Sequence, residues 1–168
     1  MKSDWRVYGK KADFKRLADK YSIDQVIARI IRNRDICGDS DIDMYLNGDI
    51  KDMHAPKDMK DAVVIEKKIK EKCRIRIIGD YDIDGICSIY ILYKGLLAAG
   101  ADVDYVVPHR INDGYGINEH LIDNALSDGI DTIITCDNGI SAYSQVKYAK
   151  DNGMTVIVTD HHDVPFDM

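Results

Sequence analysis

The chain has 168 residues, with 23 Lys and Arg against 29 Asp and Glu for a net charge of −6, and 45% of it is hydrophobic. That length supports one domain, or one domain with a helical extension, and a core that needs no staples. The charge has the wrong sign for a simple basic nucleic-acid-binding module, no apolar run approaches the roughly 18 residues of a membrane span, and the start MKSDWRVYGKK has no signal-peptide core.

In chain order, Ser22–Gln25 fits a capping box, and Ile23, Val26, Ile27, Ile30 and Ile31 then form one helical stripe. Residues 36–57, with Gly38, Gly48 and Pro56, read as loop. Met59, Ala62, Val63 and Ile69 mark a second helix that leads into the first of four β-branched runs. Those runs are Arg74–Ile78, Asp102–Val107, Asp131–Cys136 and Thr155–Thr159, with starts 28, 29 and 24 residues apart. Between them lie helical stretches: Ile86–Ala99 before Gly100, one capped by Asn118 and ending near Gly129, and one capped by Ser141 and ending at Gly153. The alternation specifies an α/β fold, a parallel β-sheet with helices on both faces, over residues 73–168, preceded by an N-terminal helical extension and linker helix over residues 1–72.

Charge follows the same division. Residues 1–72 carry 17 basic and 14 acidic side chains, a net of +3, whereas residues 73–168 carry 6 and 15, a net of −9. Four cysteines (Cys37, Cys73, Cys87 and Cys136) stand far apart with no CxxC pair, which argues against a zinc ribbon or a disulfide framework and for a reducing, cytoplasmic setting. Cys87 and Cys136 read as small buried hydrophobes.

Ligands of open parallel sheets bind beyond the carboxyl ends of the strands. After the first strand comes Gly79-Asp80-Tyr81-Asp82-Ile83-Asp84-Gly85, after the third Asp137-Asn138-Gly139-Ile140, and after the fourth Asp160-His161-His162-Asp163. Asp80, Asp82 and Asp84 alternate, so an extended segment would put all three on one side, where like charges repel unless a cation neutralises them. Oxygen ligands with one or two imidazoles suit Mn²⁺ or Mg²⁺ better than structural zinc. A calcium loop of the EF-hand type needs a Glu at its twelfth position, which here is Ile91. Each piece also has an ordinary reading: a lone Asp after a strand is often a helix cap, a His pair a surface accident, Arg110 a loop salt bridge, and Tyr115 a packing residue.

The three groups GDYDIDG, DNGI and DHH resemble the first three motifs of the DHH phosphoesterase family. Pro108-His109-Arg110 with Gly114-Tyr115-Gly116, and Met53–Pro56 followed by Asp58–Ala62, are similar to segments of its RecJ group of single-strand-specific exonucleases. The resemblance covers roughly residues 40–168, with a weaker match at Trp5. It implies a two-metal hydrolase, usually with Mn²⁺, that cuts phosphodiester bonds of single-stranded DNA with 5′-to-3′ polarity in DNA repair and recombination. By the same resemblance the catalytic set is Asp80, Asp82, Asp84, Asp137, His161 and His162. Asp82, Asp84, Asp137 and His161 match the family's metal ligands and His162 the position that contacts substrate phosphate; Asp160 is expected to orient His161, and Arg110, whose guanidinium fork matches phosphate geometry, is the local candidate for a further phosphate contact. Ile78 stands where members outside the RecJ group often carry a ligating His.

RecJ-like enzymes also have a fourth-motif Asp and a C-terminal domain that closes over the nucleic acid. The sequence ends at Met168, six residues past His162, so the expectation is a truncated and impaired chain whose partners are single-stranded DNA and that C-terminal domain. Other readings stay open: a DHH phosphoesterase of short oligonucleotides, cyclic dinucleotides or polyphosphate; a non-catalytic scaffold; and a phospho-acceptor receiver domain, in which the DHH string has no role.

Overall fold

A computed structural model describes residues 4, 9–59 and 61–165, and Trp5 lies outside the described residues. The chain divides into two compact units, Met1–Ala55 and Pro56–Met168.

The first unit is helical. Helix α1 (Phe14–Tyr21) begins at Asp13, whose carboxylate accepts from the Arg16 amide, and ends at Ser22 in the left-handed region. Helix α2 (Gln25–Asn33) is capped by Asp24, which accepts from Val26 N–H. The expected capping box at Ser22 is therefore corrected: Ser22 closes one helix, and Asp24, two residues on, opens the next. Ala28 and Ile31 are buried, but Val26, Ile27 and Ile30 are exposed. The expected loop over 36–57 is also corrected. Residues Asp39–Asn47 form helix α3, with Asp39 and Asp41 in the first turn, where carboxylates suit the helix dipole. A 3₁₀ turn follows at Ile50–Asp52.

The second unit starts with a 3₁₀ turn at Pro56–Asp58 and helix α4 (Ala62–Lys70). Then strands and helices alternate: β1 (Arg74–Ile78), α5 (Ile83–Ala98), β2 (Asp102–Val106), α6 (Glu119–Ser127), β3 (Thr132–Cys136), α7 (Tyr143–Asp151) and β4 (Thr155–Thr159). All pairings are parallel, in the order β2-β1-β3-β4.

Alternation along the strands sends side chains into two cores. Ile75, Ile77, Ile134 and Cys136 meet Ile89 and Leu96 of α5, with Ile65 and Ile69 of α4 beside them. Ile78 and Ile133 face the other way, against Leu121, Ile122 and Ala125 of α6 and Ala149 of α7. Helices thus cover both faces, as the sequence implied. Hydrophobic burial of this kind, at about 25 cal/mol per Å² of apolar surface, is what holds such layers together. Arg76, on the same face as Ile78, is buried among polar partners instead: Asp104 takes its guanidinium at 2.8 and 2.7 Å and Asp128 at 2.9 Å.

The caps differ in one place from the expectation. Asn118 caps α6, accepting from Leu121 N–H. At α7 the cap is Ala142, without a side-chain bond, so Ser141 does not serve as one. Cys136 is buried as expected, whereas Cys87 is exposed on α5 and the expectation of burial is corrected. Among the described residues no helix is long and apolar enough to cross a membrane.

Candidate metal centre

The strand order reverses at the β1–β3 boundary, because β1 leads outward to β2 on one side while β3 pairs on the other. A crevice at such a switch point is where doubly wound sheets place ligands. The residues that leave β1, β3 and β4 at their carboxyl ends meet there.

Asp80 follows β1 and is 3% exposed. Its Oδ1 has no hydrogen-bond partner. Desolvation raises its pKa, the Tyr81 amide opposes this, and the charges of Asp82 and Asp137 add to the rise. The turn that follows needs glycine at Gly85, where a Cβ would stand 2.6 Å from the Asp80 carbonyl oxygen. Asp82 caps α5, accepting from Gly85 N–H at 2.9 Å, and Asp84 lies exposed in the first helical turn. The segment is thus not extended, as alternation suggested. The helix starts at Ile83, so Asp80 is buried while Asp82 and Asp84 are exposed.

Asp137 follows β3. It is 7% exposed and has φ 61°, in the left-handed region that Asp tolerates better than most residues. Its Oδ1 lies 2.8 Å from Nε2 of His161, which follows β4. Asp137, His161 and His162 each offer a ligand atom within 4.8 Å of the others'. The two imidazoles lie side by side, with centroids 4.6 Å apart.

Asp160 organises this corner. Its Oδ1 accepts from His161 N–H (2.8 Å), His162 N–H (3.1 Å) and His162 Nδ1 (2.7 Å), and its Oδ2 from Ile140 N–H (2.9 Å). Desolvation would raise its pKa, but these donors hold it below the usual range. The expectation that Asp160 orients the His161 ring is corrected: it grips the His162 ring and touches His161 only through the main chain. The hydrogen bond to Asp160 raises the pKa of His162. With Nδ1 engaged, Nε2 is the nitrogen left for a ligand.

The loop between β2 and α6 closes the site. The Arg110 guanidinium lies 5.3 Å from the Tyr81 ring centre, which brings it to the β1–α5 turn. The Tyr115 hydroxyl donates to the Asp137 carbonyl at 2.9 Å. Although about half of Tyr115 is exposed, desolvation first, then the carboxylates of Asp160, Asp80, Asp137 and Asp82, push its pKa up to about 12. It therefore stays a donor at ordinary pH.

Asn138 was missed as a functional residue. It is fully buried, and its amide donates to the carbonyls of Ile78 (3.0 Å) and Cys136 (2.9 Å) while its Oδ1 accepts from Ile117 N–H (3.1 Å). One side chain thus ties β1, β3 and the loop together. A β-branched strand followed by Asp-Asn is the available signal, since an Asn buried at a strand end has to spend its amide on neighbouring polar groups. A cavity of about 420 Å³, lined by Gly116, Gln145, Asp160 and His162 among others, opens beside this corner.

The donor set fits a divalent cation. A buried carboxylate oxygen without a partner and a second buried carboxylate stand beside two imidazoles, and the carboxylates of Asp82 and Asp137 add to the charge on Asp80. Oxygen and nitrogen donors of this kind suit Mn²⁺.

Comparison with known proteins gives the family. The family described as "DHH family, N-terminal domain" matches residues 74–168. The chain belongs to the DHH family. It is 33% identical over 167 residues to the single-stranded-DNA-specific exonuclease RecJ of Bacillus subtilis, covering 96% of this chain and 21% of that protein. It is 41% identical over 101 residues to the RecJ of Thermus thermophilus, covering 60% and 15%. Two solved structures are similar: an exonuclease RecJ bound to manganese (TM-score 0.58, 39% identity, 62% of this chain and 27% of that one) and the Thermus thermophilus RecJ in complex with Mn²⁺ (TM-score 0.57, 29% identity, 76% and 19%). The chain spans 15% to 21% of the length of the curated relatives it matches.

Within the DHH family match, the three motifs fall on the ends of β1, β3 and β4. The structure brings Asp137, His161 and His162 into one group, with Asp80 and Asp82 close enough to bear on each other's charge. Asp84 lies outside that group.

Proposed function

We propose that the chain is the N-terminal catalytic part of a metal-dependent exonuclease that hydrolyses phosphodiester bonds of single-stranded DNA from the 5′ end, in DNA repair and recombination in the cytoplasm. The observation that carries this reading is the gathering of Asp137, His161 and His162 around the switch point beside the unpartnered Oδ1 of Asp80. The likeness to proteins named as RecJ exonucleases, two of them in manganese-bound structures, supports it.

Asp82, Asp84, Asp137 and His161 would hold one or two Mn²⁺ or Mg²⁺ ions. Such ions supply Lewis-acid polarisation of the phosphoryl group and a lowered pKa for water. The chain's own side chains do the rest. Asp160 fixes the His162 ring so that Nε2 faces the substrate phosphate. Arg110 offers a planar fork that matches phosphate geometry, and its contact with Tyr81 keeps it beside the Asp80 turn. The cavity next to His162 gives a neighbouring nucleoside room.

The test is a chimaera in which residues 74–168 replace the aligned segment of the Thermus thermophilus relative. With Mn²⁺ it is expected to digest a labelled single strand, spare the duplex and a dinucleotide, and stop in EDTA. The Asp137→Ala form is expected to lose at least 100-fold in rate, roughly the scale of one removed electrostatic group. A folded chimaera that cleaves only the dinucleotide, or that cleaves the single strand equally well with Ala at 137, contradicts the reading.

A further inference from the structure

The loop over residues 108–118 and the β3 turn meet through a side chain not used in the chemistry above. Asp137 occupies a left-handed conformation, which its surroundings help to hold. Its N–H donates to the Thr159 carbonyl at 3.0 Å, and its carbonyl accepts from the Tyr115 hydroxyl at 2.9 Å. The peptide so held sets the direction in which the Asp137 carboxylate leaves the main chain toward His161.

The loop that supplies Tyr115 is tightly knit. Asp113 accepts from His109 N–H at 2.7 Å and lies 3.3 Å from Nδ1 of His120, and Asn118 donates to the Asp113 carbonyl at 2.9 Å. Glycine is required at Gly116, whose φ is +65° and where a Cβ would stand 2.9 Å from Oδ1 of Asn138. The same loop carries Arg110 against Tyr81. Order in this loop and the placing of the Asp137 carboxylate therefore share one side-chain hydrogen bond.

We propose that Tyr115 is a positioning residue for the cation site: its hydroxyl holds the Asp137 peptide so that the carboxylate is preset for a divalent ion, and it links order in loop 108–118 to occupancy of that site. This rests on the reading of Asp137 as a cation ligand. Linkage is reciprocal, so whatever the ordered loop contributes to cation binding, the bound cation returns as order in the loop.

The test is calorimetric Mn²⁺ binding to this chain and to its Tyr115→Phe and Asp137→Ala forms, with thermal unfolding and hydrogen exchange of residues 109–118 measured beside it. Tyr115→Phe removes only the hydroxyl and keeps the ring, which stands edge-on to His162 at 6.2 Å. It is expected to weaken Mn²⁺ binding about tenfold, as loss of a group that orients a metal ligand commonly does. Its thermal midpoint without metal should stay near that of the parent, and Mn²⁺ should slow exchange in the loop of the parent but not of the variant. Parent-like affinity in Tyr115→Phe, with binding lost in Asp137→Ala, overturns the positioning role and leaves the metal reading standing. A lower midpoint with unchanged affinity also overturns it, since that is the signature of packing alone. Equal binding by Asp137→Ala, or none by the parent, overturns the metal reading and this inference with it.

Discussion

Asp80 is placed where a carboxylate is costly. Only 3% of it is exposed, one oxygen lacks a partner, and two other Asp charges act on it. A group in that position works against the metal-free fold and is repaid when a cation arrives. Asp80→Asn is therefore expected to raise the stability of the metal-free chain by about 0.5–1 kcal/mol, the usual gain from relieving strain at a site, while weakening Mn²⁺ binding. Urea unfolding in EDTA and calorimetry measure the two halves; a loss of stability without metal would show that Asp80 is a structural hydrogen-bonding residue. The three Asp positions of the first motif were legible by identity but not by direction. Their alternation suggested one shared face, and the helix start at Ile83 turned them to different depths. Asp160 illustrates the same limit, because no spacing rule says which of two adjacent histidines it will grip.

At the scale of elements, the β-branched runs declared the strands to within a residue, since buried parallel strands need side chains apolar on both faces. The first unit was harder. Helix α1 was not foreseen, although Phe14, Leu17, Ala18 and Tyr21 stand at helical spacing on it. Helix α3 is short and buries only Ile42, with Met44 and Tyr45 exposed, and the glycines on either side, Gly38 and Gly48, favoured the loop reading. A tertiary ion pair was also beyond reach of the sequence: Lys68 of α4 donates to Asp131 at the start of β3 at 2.6 Å, 63 residues away. Burial would raise the Asp131 pKa, but Lys68 and the Thr132 hydroxyl bring it below the ordinary value. A depressed acid stabilises the fold above its unfolded pKa and loses that contribution as pH falls through its folded pKa. Asp131→Asn is thus expected to be less stable than the parent at pH 7 by about 0.5–1 kcal/mol, a partly exposed pair's worth, and to approach it as pH falls through the depressed Asp131 pKa. Urea midpoints across that range decide it, and a difference that persists at low pH would exclude the ion pair as its source.

For the whole molecule, the parallel sheet and the meeting of three motifs at one edge followed from strand–helix alternation and the residues after each strand. The net of −9 over residues 73–168 gained its meaning only from where the carboxylates sit. Asn138, which joins β1, β3 and the Tyr115 loop, had no periodic pattern to announce it. The central claim is that these strand ends form a cation site, and the most direct measurement is calorimetric Mn²⁺ binding to the chain beside its Asp137→Ala form. The account predicts saturable binding by the parent that Asp137→Ala weakens by at least tenfold. No binding by the parent, or equal binding by both, would contradict it.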